Sequence, residues 1–251
     1  MILELDIGNS RIKWRALDAN SGAELDSGVA DGLQELTDGF VDASAVTGIR
    51  VSTVRDSQMC EQLLNWAAAG EIPVRIARVT RSCAGVTNSY EDLARLGVDR
   101  WLAMLAAYNR THTACIIIDC GTALTIDLLD GTGQHTGGYI VPGLSLMRDS
   151  LELSTGIGLD SDIEKPSMEY GHSTLSAVHN GTFASLVALI QRCVRPPDGY
   201  SDQLEKIYLT GGDADLFAQE LVADGLVVEL VPSLVLDGLV LACFQSGAAE
   251  D

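Results

Sequence analysis

The chain has 251 residues, 47% of them apolar, enough for two domains of roughly 100–130 residues that each bury a core. Its 35 Asp and Glu against 16 Lys and Arg give a net charge of −19, and a field of that sign repels both nucleic acid and anionic membrane. No stretch of about 18 residues is free of charges and breakers; even LVVELVPSLVLDGLVLACF holds Glu229, Pro232, Asp237 and Gly238, so no membrane span is expected.

The N-terminus lacks a basic region and meets Glu4 and Asp6 at once, so no signal peptide is expected either. Six cysteines (60, 83, 115, 120, 193, 243) form no C-x-x-C and sit mostly in apolar runs. They read as small core residues of a protein in the reducing cytosol, without a zinc site. Histidines 112, 135, 172 and 179 show no ligand spacing. Lysine is scarce (Lys13, Lys165, Lys206) and Asp abundant, a balance that points to a saline habitat.

In chain order, MILELDIGNSRIKWRAL reads as an apolar strand ending at Asp6, a glycine turn, and a second strand. In that strand Ile12, Trp14 and Ala16 alternate with Arg11, Lys13 and Arg15, as in a half-buried ribbon. VSTVRD and VRIARVT read as strands around a helical MCEQLLNWAAAG, and EDLARLGVDRWLAMLAAYNR reads mostly as helix. IIIDCGTALTIDLLD (116–130) then repeats the opening pattern of strand, Asp-x-Gly turn and strand, which suggests two units of similar topology. After it come a strand and helix in TGGYIVPGLSLMRDSLEL, a helix in STLSAVHNGTFASLVALIQRCV with Thr174 as a possible cap, and strand, Gly-Gly turn and helix in KIYLTGGDADLFAQEL with Asp213 as N-cap. LVLDGLVLACF reads as a final helix. Strands and helices alternate, so the class is α/β.

One Asp-x-Gly turn is most simply a hairpin turn whose carboxylate caps local amides. Two of them, with a third glycine turn at Thr210-Gly211-Gly212, favour backbone nests for phosphate, and Lys13 adds a cation. Asp6 and Asp119 would repel that phosphate, each by roughly 3 kcal/mol at about 6 Å and an effective dielectric near 20. A hydrated magnesium ion removes the conflict.

The ordered set DIGNSRIK (6–13), GVDRW (97–101), DCGTALT (119–125), GGYIVPG (137–143) and TGGDA (210–214) resembles type III pantothenate kinase, within the acetate/sugar kinase–actin superfamily. The resemblance implies two ribonuclease H-like lobes, 1–112 and 113–251, with an active-site cleft between them. It implies a cytoplasmic homodimer that transfers the γ-phosphate of ATP to the primary hydroxyl of pantothenate, with Mg2+ and a monovalent cation, K+ or NH4+. Carried onto this chain, Asp6, Ile7, Gly8, Asn9, Ser10, Arg11, Ile12 and Lys13 form the first phosphate loop, with Asp6 facing magnesium through water. The loop reads Gly-Asn-Ser where many relatives have Gly-Asn-Thr, and the hydroxyl is kept. Thr122 contacts ATP phosphate, Gly211 and Gly212 approach the adenosine, and Asp119 lies at the monovalent-cation site. Tyr90, Gly97, Val98, Asp99, Arg100 and Thr174 bind pantothenate, Asp99 being the proton acceptor.

Simpler roles exist for several of these. Asp99 reads equally as a helix N-cap, Arg100 as half of a surface ion pair, and Tyr90 as an ordinary core or interface aromatic. Trp14, Trp66 and Trp101 read as packing residues. The competing functions are a superfamily kinase for another small hydroxylated substrate and a nucleotide-binding accessory regulator without turnover. Degeneration at Asp6, Asp99 or Asp119 would favour the regulator, and all three are present.

Overall fold

The computed structural model describes residues 1–8, 11–37, 43–53, 58–159, 165–195 and 204–244. The chain forms two compact units, Met1–Thr111 with Ser233–Asp251, and His112–Pro232. The sequence reading expects a single cut at residue 112, whereas here the chain crosses twice and its tail returns to the first unit.

In the first unit β1 (Ile2–Ile7), β2 (Ile12–Leu17) and β3 (Glu24–Ala30) form an antiparallel meander. A single turn, α1 (Leu33–Glu35), precedes β4 (Gly48–Thr53), α2 (Gln58–Ala69) and β5 (Val74–Ile76), and β4 and β5 extend the sheet in parallel to give the order β3-β2-β1-β4-β5. The alternation read in β2 holds, with Ile12, Trp14 and Ala16 buried. A small hairpin, β6 (Ser82–Cys83) and β7 (Val86–Thr87), leads to α3 (Val98–Thr111). The helix expected from residue 91 onward is shorter, because residues 93–95 form only a 3-10 turn, capped by the Asp92 side chain accepting from Ala94 N–H at 3.0 Å. Arg100 to Tyr108 of α3 are all buried, as expected for a helix that is apolar all round.

The second unit repeats the plan. β8 (Cys115–Cys120), β9 (Ala123–Leu129) and β10 (His135–Pro142) form the meander, and α4 (Leu144–Thr155) and α5 (Thr174–Val194) follow. β11 (Lys206–Thr210), α6 (Ala214–Ala223) and β12 (Glu229–Leu230) complete the unit, with sheet order β10-β9-β8-β11-β12 and β11 and β12 parallel to β8. Strand order and directions match those of the first sheet, so the repeat in the sequence is a repeat of topology. α5 is capped by Ser173 and not by Thr174: Ser173 and Ser176 exchange backbone and side-chain hydrogen bonds in a capping box. Asp127 on β9 and His135 on β10 are buried as a pair at 3.0 Å. Five of the six cysteines are buried and all six are free thiols, as the core reading expects.

The tail helix α7 (Leu234–Phe244) packs on α3 so closely that a Cβ at Gly238 would overlap the Leu102 carbonyl. Charge ties it to the sheet as well. Buried Glu4 on β1 accepts from Arg15 Nε at 3.0 Å and Arg50 Nη1 at 2.8 Å, and Arg15 Nη1 reaches Asp237 Oδ1 at 2.7 Å. Each buried charge thus has an opposite partner, as low dielectric demands. Gly238→Ala should cost about 2–3 kcal/mol through overpacking, a value that urea unfolding measures; unchanged stability would mean that α7 shifts freely on α3.

Candidate active site

Asp6 and Asp119 hold the same place in their sheets, the fifth of six residues in β1 and in β8. In each case the parallel neighbour offers a buried hydroxyl residue in register: Ser52 on β4 beside Asp6, and Thr210 on β11 beside Asp119. The carboxyl ends of parallel strands are where open α/β sheets bind ligands.

Around Asp6 the first turn closes with Gly8 N–H donating to the Arg11 carbonyl at 3.0 Å. Lys13 stands opposite Asp6 on β2. Burial pushes the Asp6 carboxyl up to about 6; the Ser52 hydroxyl and Lys13 pull it back, while the charge of Asp99 adds to the rise. Asp6 and Asp99 are therefore electrostatic neighbours within one unit. Ile7 and Ile12 of the loop are core residues, so any contact they make with a phosphate comes from the backbone. Arg11 is exposed and pairs with exposed Asp31 at 3.4 Å. Asn9 and Ser10 lie outside the described residues.

Around Asp119 three glycines bring backbone together. Gly211, at φ 95°, sits where a Cβ would overlap the Asp119 carboxylate and the Cys120 carbonyl. Gly212 faces open space, and Asp213 N–H donates to the Cys120 carbonyl at 3.0 Å. Gly143 N–H, at the start of α4, donates to the Thr122 carbonyl at 2.9 Å, and Thr122 is exposed. The turn residues Asp119, Thr122, Gly211 and Gly212 are thus collected at one end of one sheet. Asp213 stands at the N-cap position of α6 but makes no side-chain cap bond; burial raises its carboxyl and Arg148 on α4 opposes the rise. Burial, with the charges of Asp119 and Asp213, pushes the Cys120 thiol up.

The GVDR element opens α3. Asp99 lies in the first turn of the helix, not ahead of it, and its Oδ1 accepts from Arg100 N–H at 2.8 Å. Gly97 makes room for that carboxylate, since a Cβ there would overlap Asp99 Oδ1. Asp99 is exposed. Arg100 is only 5% exposed, which removes the surface ion-pair reading. Its Nη1 donates to the Tyr90 hydroxyl at 3.0 Å, and its guanidinium lies 5.7 Å from the centre of the Tyr90 ring. Thr174 is the exposed first residue of α5, in the other unit, and borders an open groove of about 480 Å³ lined also by Leu151, Val178 and Thr182. Sequence reasoning missed Ser52, which carries no local signal, and had Gly143 as the last residue of the GGYIVPG motif without giving it a role.

A divalent ion fits the donors at Asp6. Asp6 is a half-buried carboxylate whose ionisation is disfavoured by its surroundings, and a bound cation would favour its charged form. Among the described residues no three His, Cys, Asp or Glu side chains converge to hold a metal.

Several solved structures share this fold. A protein from Sinorhizobium meliloti described as a 2-dehydro-3-deoxygalactonokinase matches with a TM-score of 0.59 at 13% identity, over 100% of this chain and 99% of that one. One from Listeria monocytogenes described as an N-acetylmannosamine kinase gives 0.54 at 14%, over 98% and 99%. A Baf family protein from Campylobacter jejuni described as a transcriptional activator gives 0.59 at 20%, over 95% of each chain. The fold of this chain, α/β with two five-stranded sheets of one topology, is shared with these structures. The family model of type III pantothenate kinase matches residues 2–196. The type III pantothenate kinases of Pseudomonas paraeruginosa and Ectopseudomonas mendocina are each 38% identical, over 97% of this chain and 99% of theirs. The chain belongs to the type III pantothenate kinase family, whose ATP-dependent kinases take the first step of coenzyme A synthesis.

Proposed function

We propose that the family's reaction is carried in this chain by the residues assembled above: the γ-phosphate of ATP passes to the primary hydroxyl of pantothenate, giving 4′-phosphopantothenate. Asp99 orients that hydroxyl and accepts its proton at Oδ2 or Oδ1. An alcohol is a far weaker acid than a carboxylic acid, but phosphoryl transfer has a loose transition state in which the proton leaves late, so a weak base suffices. Arg100, braced by Tyr90, receives the pantothenate carboxylate, and Gly97, Val98 and Thr174 complete the substrate set. The Asp6–Lys13 turn and Thr122 meet the phosphates, and Gly211 and Gly212 meet the adenosine. When bound with ATP, magnesium neutralises phosphate charge; Asp6 holds it through water, and Asp119 holds a potassium or ammonium ion. The observation that carries this reading is the fixing of buried Arg100 on the Tyr90 hydroxyl at 3.0 Å beside exposed Asp99, whose charge is felt at half-buried Asp6.

A coupled kinase assay with pantothenate, ATP and magnesium, with and without potassium, tests it. Product formation that rises with potassium is the expected result. ATP binding without any product would favour the accessory regulator, and turnover of sugars but not pantothenate would favour another kinase of the superfamily. Because the chain carries a net charge of −19, calorimetry should show ATP binding that tightens with both magnesium and salt; binding indifferent to both would contradict local cations overcoming the field.

The same reading takes the protein as a cytoplasmic homodimer. Among the described residues no helix is long and apolar enough to cross a membrane. Tyr139 and Ile140 on β10 and Leu146 and Leu153 on α4 are exposed apolar side chains of one unit, of the kind that a second copy covers.

A further inference from the structure

The segment that carries Tyr90 has almost no regular backbone pairing, yet its carbonyls are gathered by one side chain. Arg81, just before β6, donates from Nη1 to the carbonyls of Asn88 at 2.9 Å and Tyr90 at 2.8 Å, and from Nη2 to that of Glu91 at 3.2 Å. Its own carbonyl accepts from Asn88 N–H at 2.9 Å, and buried Asn88 Oδ1 accepts from Tyr90 N–H at 2.9 Å. The hairpin beneath is fastened to α3: Asn109 Nδ2 donates to the Ala84 carbonyl at 2.8 Å, and Gly85, at φ 84°, lies against the Tyr108 ring. Arg81 therefore joins a base held on α3 to a segment that returns to the start of α3, where Arg100 meets the Tyr90 hydroxyl.

We propose that Arg81 is a positioning residue for the carboxylate end of the acceptor substrate, acting through Tyr90 and Arg100 without touching substrate. The proposal rests on the reading of Arg100 as the partner of the pantothenate carboxylate. A planar guanidinium serves three carbonyls of one tight segment from a rigid fork of donors, a geometry that the compact ammonium of lysine, on its flexible stem, does not reproduce. Without the clamp those carbonyls turn to water, Tyr90 loses its fixed height over α3, and Arg100 loses the brace that aims it.

The test is steady-state kinetics of Arg81→Ala, Arg81→Lys, Arg100→Ala and the Arg81→Ala/Arg100→Ala double variant, with thermal melts of each. Arg81→Ala should raise KM for pantothenate about tenfold, with kcat within about twofold and KM for ATP unchanged. Arg81→Lys should not rescue it, and in the Arg100→Ala background Arg81→Ala should add nothing, because the two act in series. Equal rises in both KM values, an additive double variant, or a lowered melting temperature without the KM split would overturn the clamp. If Arg100→Ala itself leaves KM for pantothenate unchanged, the carboxylate reading of Arg100 falls and takes the clamp with it. If Arg100→Ala raises that KM and Arg81→Ala does not, the clamp alone fails.

Discussion

Asp99→Asn is expected to lose roughly 10²- to 10⁴-fold in kcat while keeping the fold. The structure separates the two roles that this carboxylate could have. As a local acceptor, Asp99 Oδ1 takes the Arg100 N–H at 2.8 Å, and an asparagine carbonyl oxygen accepts the same bond. The start of α3, the fit against Gly97 and the Arg100–Tyr90 contact should all survive the change. What asparagine cannot do is take the hydroxyl proton as the new P–O bond forms. Circular dichroism melts should therefore superimpose on wild type while turnover collapses and KM for ATP holds. Wild-type turnover in the variant would remove Asp99 from the mechanism, and a collapsed melt would return it to the bland role of a helix-start residue.

The second large effect sets stability against function at Asp6. In the nucleotide-free protein burial moves this carboxyl from 3.8 to about 6, with Asp99 adding to the rise. A folded-state value above the unfolded one means that the native protein holds the extra proton between about pH 4 and pH 6. Its stability is then full below pH 4 and declines as pH rises through 6, by about 3 kcal/mol for a shift of this size. Asp6→Asn removes the charge, retains an acceptor for the Ser52 hydroxyl, and should melt higher than wild type at pH 7.5 without nucleotide. The same variant should lose at least roughly 10²-fold in kcat/KM, because the cation that accompanies ATP loses its carboxylate. Added magnesium and ATP should stabilise wild type far more than the variant. A variant less stable than wild type at pH 7.5 would show that Asp6 is held as a structural anion, and undiminished turnover would take it out of the nucleotide site.

The legible features of this protein are the local ones. Two apolar strands that end in Asp-x-Gly and reverse into a second strand define two meanders, and both form as read, down to Ile12, Trp14 and Ala16 on the buried side of β2. GVDR was legible as a cluster of chemistry at a helix start because its residues are consecutive. The cap of α5 was misread by one position, since Ser173 and Thr174 are both competent and only the bond to Ser176 decides between them. For Arg100 the sequence offers a partner for a substrate carboxylate or half of a surface ion pair; its burial beside Tyr90, whose carbonyl Arg81 holds from outside the motif, is seen only in the fold.

The return of α7 to the first unit had no signal in the chain either. LVLDGLVLACF announces a buried helix, and nothing in an apolar run says which sheet will bury it. That choice falls to the close fit of Gly238 on Leu102 and to Asp237 meeting Arg15, contacts between residues far apart in sequence.

Residue order alone determined the α/β class, the twofold repeat, the glycine turns and the three carboxylates, because hydrophobic period and turn chemistry act over a few neighbouring positions. Tertiary structure alone decided that Ser52 and Asp99 surround Asp6, that Gly211 lies on Asp119, and that the tail joins the first unit. Those outcomes depend on strand pairing and helix packing between distant segments, where burial and charge are set by neighbours that no short stretch of sequence names.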